Sequence, residues 1–210
     1  MRRIALVLVL FASSALVGGS SPAAAAPAGV VHFQLNRSFA QALWETHTSH
    51  QSTEPYVFAE RNRQGATTLF FDEFTRYFDD GGNFTGSTDV SGEADSGVSF
   101  STSSLSSVTA SATVPVTSCS YGADFNLIGC ADAGTRDVSA HWTGEGSITR
   151  GTTTDSFHED GFLQVDHLTG ADRQATATAM VDGTSLGTGD LLLAYLGTAV
   201  SGSVVICHDC

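Results

Sequence analysis

Val108-Thr109-Ala110-Ser111-Ala112-Thr113-Val114-Pro115-Val116 places an apolar side chain at every second position and a polar one between, apart from Pro115 on the polar side. A period of two is the signature of a half-buried β-strand, because successive side chains of an extended chain point to opposite faces. Two further runs repeat it. Ala175, Ala177, Ala179 and Val181 oppose Thr176, Thr178 and Asp182, while Val138, Ala140 and Trp142 oppose Ser139, His141 and Thr143. Inward sets so rich in alanine suit closely packed layers, with Trp142 filling the space that the alanines leave. Proline donates no backbone hydrogen bond, so Pro115 marks an edge or a strand end.

Turn residues punctuate these runs at short intervals. Asp79-Asp80-Gly81-Gly82 and Glu159-Asp160-Gly161 read as hairpin turns, and Asp182-Gly183 closes the alanine strand. Other extended runs are Val30–Asn36, Pro55–Arg63, Thr67–Phe78, Thr152–His158, Phe162–Leu168, Asp190–Gly197 and Ser203–Cys207. Ser38–His47 fits both periods: as a helix it has Ser38 for an N-cap, and as a strand it puts Ala40, Ala42 and Trp44 on one side. Its neighbours favour the strand. Ser87–Ser107 is polar and reads as a loop or an exposed edge strand. The expectation is an all-β, antiparallel two-sheet β-sandwich, with a β-barrel as the alternative, of about ten short strands and at most one short helix near Ser38–His47.

The front of the chain reads differently. Met1-Arg2-Arg3 followed by the apolar run Ile4–Val17 and small residues is the layout of a secretory signal peptide, too short to span a bilayer. Cleavage after Ala25 gives a signal peptide at 1–25 and a single domain at 26–210. Nine basic residues, all arginine, face 22 acidic ones for a net charge of −13. Loss of Arg2 and Arg3 leaves 7 − 22 = −15. Such a field repels phosphate backbones and anionic lipid, so the expectation is no nucleic-acid partner and no membrane insertion of the mature form.

Four cysteines in an exported chain point to disulfides. Cys119 and Cys130 bracket a polar loop and are the favoured pair. Cys207 and Cys210 form either a local staple or ties back to Cys119 and Cys130.

Three groups of residues are candidates for function. Leu69, Phe70, Phe71, Phe74, Tyr77 and Phe78 occupy both faces of one strand, which is therefore buried on both sides or presents Phe70, Phe74 and Phe78 as a binding platform. Asp79, Asp80 and Asn83 gather hard oxygen atoms of the kind calcium prefers, although acidic turns also arise for backbone reasons. No other cofactor is indicated. His158, Asp160 and His167 share one predicted hairpin, with His167 expected to point inward alongside Leu163 and Val165. No zinc-protease or deaminase motif appears in the sequence. These features favour a secreted, non-enzymatic domain that binds a glycan, a cell-envelope polymer or a protein. The alternatives are a small secreted hydrolase using the His/Asp group of the 152–168 hairpin, and an inhibitor or toxin-like effector presenting the Cys119–Cys130 loop.

Overall fold

The computed structural model describes residues 29–159 and 162–207; the expected signal peptide, Asp160 and Cys210 lie outside them. The strands are β1 (Gly29–Trp44), β2 (Thr46–His47), β3 (Gln51–Asn62), β4 (Thr67–Phe78), β5 (Phe84–Ala94) and β6 (Ser99–Ser103). They continue with β7 (Ser107–Gly122), β8 (Leu127–Gly144), β9 (Thr149–Glu159), β10 (Phe162–Val181), β11 (Thr184–Leu186) and β12 (Leu191–Cys207). One 3₁₀ turn, Thr188–Asp190, is the only helical element among the described residues. The protein is all-β and every strand pairing is antiparallel, as the alternation requires.

The ladder closes on itself. From β1 it runs through β3, β4, β5, β7, β8, β10 and β12, and β12 pairs with β1 again, a ring of eight strands with the connectivity of a barrel. An eight-stranded ring is just wide enough for its inward side chains to fill it. Trp44 and Trp142, Phe71, Leu69 and Leu196, all fully buried, supply the bulk, and Ala40, Ala42, Ala59, Ala110, Ala140, Ala177 and Ala179 let them interdigitate. The alternating sets around Val108, Val138 and Ala175 are therefore the inward faces.

Several runs that look separate in sequence are continuous strands. β1 joins Val30–Asn36 to the ambiguous Ser38–Trp44 segment, which is strand and buries Ala40, Ala42 and Trp44. β12 runs through Gly197, where an added Cβ would collide with the ring of its cross-strand partner Phe39. The ring covers the glycine and keeps the ladder intact there. Ser87–Ser107 is largely strand, because β5 and β6 successively complete one edge of β7. Pro115 sits at a bulge against β8, in the gap on that second edge between Ser111, paired with β6, and Val116, paired with β5. It marks a bulge in an interior strand, where its missing donor interrupts no ladder on that side.

The barrel has two distinct ends. At one lie the β3–β4 turn, the β6–β7 turn and the approach of β9; beyond it β1, β12, β10 and β9 continue as a four-stranded extension. At the other lie the β4–β5 turn and the β7–β8 hairpin, whose strands are joined by the Cys119–Cys130 disulfide, the pair favoured from sequence.

Candidate functional site on the outer wall of β3, β4 and β5

Partners in an antiparallel ladder share a face, so register alone assembles this wall. Ser52, Arg76 and Ser87 form one lateral row, Glu54, Phe74 and Asp89 the next, then Tyr56, Asp72 and Ser91, then Phe58, Phe70 and Glu93. β4 is aromatic on both sides: Leu69 and Phe71 fill the core, while Phe70, Phe74 and Phe78 lie half-buried on the outside. The three candidate rings are thus a surface feature of one strand, flanked by Tyr56 and Phe58 from β3. Tyr56 meets Phe70 edge-on at 6.2 Å between centroids, and Phe58 stacks on Phe39 at the same separation. Arg76 lies over the Phe74 ring, 5.0 Å from its centroid, and is held there by its ion pair with Glu54.

Between the rings sits a pair of carboxyl groups that the sequence reading did not single out. Burial, then a hydrogen bond with the Asp89 carboxyl and the negative charges of Asp89, Glu73 and Glu54, push Asp72 up to about 7. Burial and the Asp72 charge push the Tyr56 phenol up to about 12, and its hydroxyl donates to Gln41 Oε1 at 3.0 Å. One oxygen of each carboxyl is buried without a hydrogen-bond partner, as are the Ser52 and Ser87 hydroxyls beside Arg76; both serines are more than nine-tenths buried. Buried polar groups are normally paired, and four without a protein partner lie on this one face. A signal existed in the sequence: Asp72 falls midway between Phe70 and Phe74, at a position where a purely structural wall has no need of an acid.

The raised Asp72 carboxyl has a thermodynamic consequence opposite in sign to that of a salt-bridged aspartate. Between the unfolded carboxylate pKa, near 3.9, and about 7 the native state holds a proton that the unfolded chain has released, so stability falls as pH rises through that window. Asp72→Asn is expected to leave stability unchanged at pH 4 and to raise it at pH 8 by about 1 kcal/mol, a value discounted for the half-exposed position. Urea unfolding at the two pH values measures this, and a variant less stable than the parent at pH 8 contradicts the assignment.

The other candidates lie elsewhere. Asp79 uses its carboxylate to cap its own turn: Oδ1 accepts from the amides of Gly81 at 2.9 Å and Asn83 at 2.8 Å, and the Asn83 side-chain amide donates to both oxygens. Those bonds hold Asp79 below its ordinary pKa. Asp80 is fully exposed and faces His50 at 3.8 Å. The calcium reading thus meets a loop whose first carboxylate is occupied by amide donors. Among the described residues no group of three or more His, Cys, Asp or Glu side chains is placed to hold a metal ion.

His167 points to solvent rather than inward, and its Nδ1 lies 3.0 Å from the Thr154 hydroxyl across the hairpin. The reason lies in position: this half of β10 pairs with β9 and β12 in the extension, away from the closed ring that makes the core. Only the backbone of His158 and Cys207 is described, and Asp160 lies outside the described residues. Phe78 belongs to a different aromatic series from Phe70 and Phe74. It meets Phe84 edge-on at 6.3 Å, and Phe84 stacks on Phe125 at 4.6 Å, beside the exposed Leu127 and Ile128 at the tip of the β7–β8 hairpin.

No helix among the described residues is long and apolar enough to cross a membrane, a statement that does not bear on β-barrels. No protein family, curated protein or solved structure matches the chain.

Proposed function

We propose that this is an exported, non-enzymatic glycan-binding domain whose binding face is the outer wall of β3, β4 and β5. One observation carries the reading: Phe70 and Phe74 share an outward face with Tyr56 and with the Asp72 and Asp89 carboxyls. Flat rings pack against the C–H faces of sugar rings, and carboxyl groups accept hydrogen bonds from sugar hydroxyls, so the two residue types together suit a polyhydroxylated ligand. The ligand is a neutral or amino-sugar polymer, because a chain of net charge −13 repels an acidic one from this face. Export is supported by the leader-like first 25 residues and by the Cys119–Cys130 disulfide, a bond that persists in oxidising compartments.

The test is retention of the purified protein on insoluble polysaccharides and its mobility in gels cast with soluble ones, comparing hexose polymers, N-acetylhexosamine polymers and peptidoglycan. The parent is expected to bind at least one of them, and Phe70→Ala/Phe74→Ala to bind it about tenfold or more weakly, as loss of central aromatic anchors does. Both side chains are half-buried on the outside, so the variant keeps its core, and a circular dichroism spectrum matching the parent's verifies this. Absence of binding to every polymer, or equal binding by the folded double variant, overturns the proposal.

A further inference from the structure

We infer that a second site, at the barrel end that carries the β3–β4 turn, binds a dianionic tetrahedral oxyanion, a sulfate or phosphate group. A cavity of about 420 Å³ opens there, lined by Arg37, Ser38, Arg61, Asn62 and Arg63 among others. Three of the nine basic residues of an acidic chain thus line one concavity at the rim. The inference is independent of the glycan proposal, which concerns a different face and a neutral or amino-sugar ligand.

The site is built by local structure. Asn62 makes the turn: its N–H donates to Ala66 O at 2.9 Å, its Oδ1 accepts from Ala66 N at 2.9 Å, and Gly65 supplies the left-handed conformation at φ 90°. Arg63 N–H donates to Asn36 O at 2.8 Å, which ties the turn to β1 and brings Arg37 beside it. In register, Arg37 pairs with Asn62 on the outer face and Ser38 with Arg61 on the inward face, so the cavity spans the rim between the two faces. The guanidinium groups are also oriented. Arg37 lies 5.8 Å from the Phe39 centroid and Arg61 lies 5.4 Å from that of Phe100. A guanidinium lying over a ring keeps its in-plane N–H donors available for an oxyanion.

Charge selects the ligand. One carboxylate answers these cations: Glu60 Oε2 accepts from Arg37 Nη1 at 2.8 Å. Arg61 and Arg63 have no carboxylate within ion-pair distance among the described residues. Glu60 answers Arg37, and Arg61 and Arg63 leave two positive charges at the cavity, the complement of a dianion. Guanidinium forks match the paired oxygens of a tetrahedral oxyanion, and the Ser38 and Asn62 side chains add neutral hydrogen-bonding groups at the wall.

The test is calorimetric titration with sodium sulfate, inorganic phosphate and sodium acetate at matched ionic strength, on the parent, on Arg61→Gln/Arg63→Gln and on Arg150→Gln. Arg150 is exposed on β9 and does not line the cavity, so its variant controls for loss of one charge. Sulfate and phosphate are expected to bind the parent and Arg150→Gln alike, and Arg61→Gln/Arg63→Gln about tenfold or more weakly, the effect of losing charge-assisted hydrogen bonds. Acetate, planar and singly charged, is expected not to saturate. Phosphate affinity is expected to climb as its second proton leaves, around neutral pH and slightly above, while sulfate affinity stays level; binding of only one of them assigns the site to that group. Should the double variant fail to fold, Arg63→Gln alone, at an exposed side chain, replaces it. The inference is overturned if neither dianion binds, if acetate binds equally, or if the folded variant binds as the parent does.

Discussion

Trp142→Ala is expected to lower the unfolding free energy by about 3–5 kcal/mol, the range for emptying a large aromatic site in a core. Trp142 is fully buried on the inward face of β8, flanked in register by Val108 of β7 and Ala177 of β10. Its surroundings cannot close over the vacancy. The inward side chains nearest in the ladder are largely alanines, Ala110, Ala140, Ala175 and Ala179, which have no length with which to reach into the space. The cost of a cavity depends on how far a site collapses, so a ring of short side chains held by a closed ladder keeps most of it open. A second variant separates volume from polarity. The Trp142 indole N–H is buried without a partner, a condition that costs about 1–3 kcal/mol when a donor is stripped of water. Trp142→Phe keeps most of the ring and removes that donor, so its loss is expected to be no more than about 1 kcal/mol. Equilibrium urea unfolding of the two variants decides the matter. If alanine and phenylalanine are equally damaging, the tryptophan is held by a hydrogen bond or a contact other than the packing described.

The inward faces were legible from the chain because burial and alternation report the same thing. Ala40, Ala42 and Trp44, Val108 to Val116, Val138 to Trp142 and Ala175 to Ala179 each bury the residues that the period selects. What the period could not give was closure. A strand's outward face carries no mark of its lateral neighbour, and the pairing of β1 with both β3 and β12 joins segments from the two ends of the chain. Continuity was hidden for a related reason: glycines and serines such as Gly197 and Ser201 read as breaks, yet a cross-strand partner such as Phe39 sustains the ladder there. The aromatic wall was half legible. Six apolar residues crowding both faces of β4 showed that one face had to be exposed or doubly buried, whereas the Asp72 and Asp89 pair exists only through the registry of β4 with β5. The arginine pocket was invisible for the same reason, since Arg37 lies more than twenty residues from Arg61 and Arg63 and meets them through one antiparallel pairing.

Removing the Cys119–Cys130 disulfide as Cys119→Ala/Cys130→Ala is expected to lower stability by about 2–3 kcal/mol, since a crosslink over so short a loop restricts the unfolded chain by roughly 3 kcal/mol. The two cysteines face each other in the β7–β8 ladder, and on the other side Cys119 pairs with Asp89, so the bond lies on the outer wall that carries Asp72 and Phe74. Its loss is also expected to loosen the hairpin tip. There Phe125 holds a left-handed backbone at φ 61°, a conformation that costs a non-glycine residue about 1 kcal/mol or more and persists only where its surroundings impose it. The restraints are the Asp124 carboxylate, which accepts from Asn126 N at 3.1 Å, and the stacking of Phe125 on Phe84; both depend on the two strands staying in register. Amide exchange of residues 120–129 is therefore expected to accelerate more than that of β8 beyond Val138, where the ladder with β10 holds the strand from its second side. The double variant is a cleaner probe than reductant, because a reductant also reaches any bond made by Cys207 and Cys210. An unchanged urea midpoint in the variant, or acceleration spread evenly along β7 and β8, would show that the hairpin is held by its ladder alone.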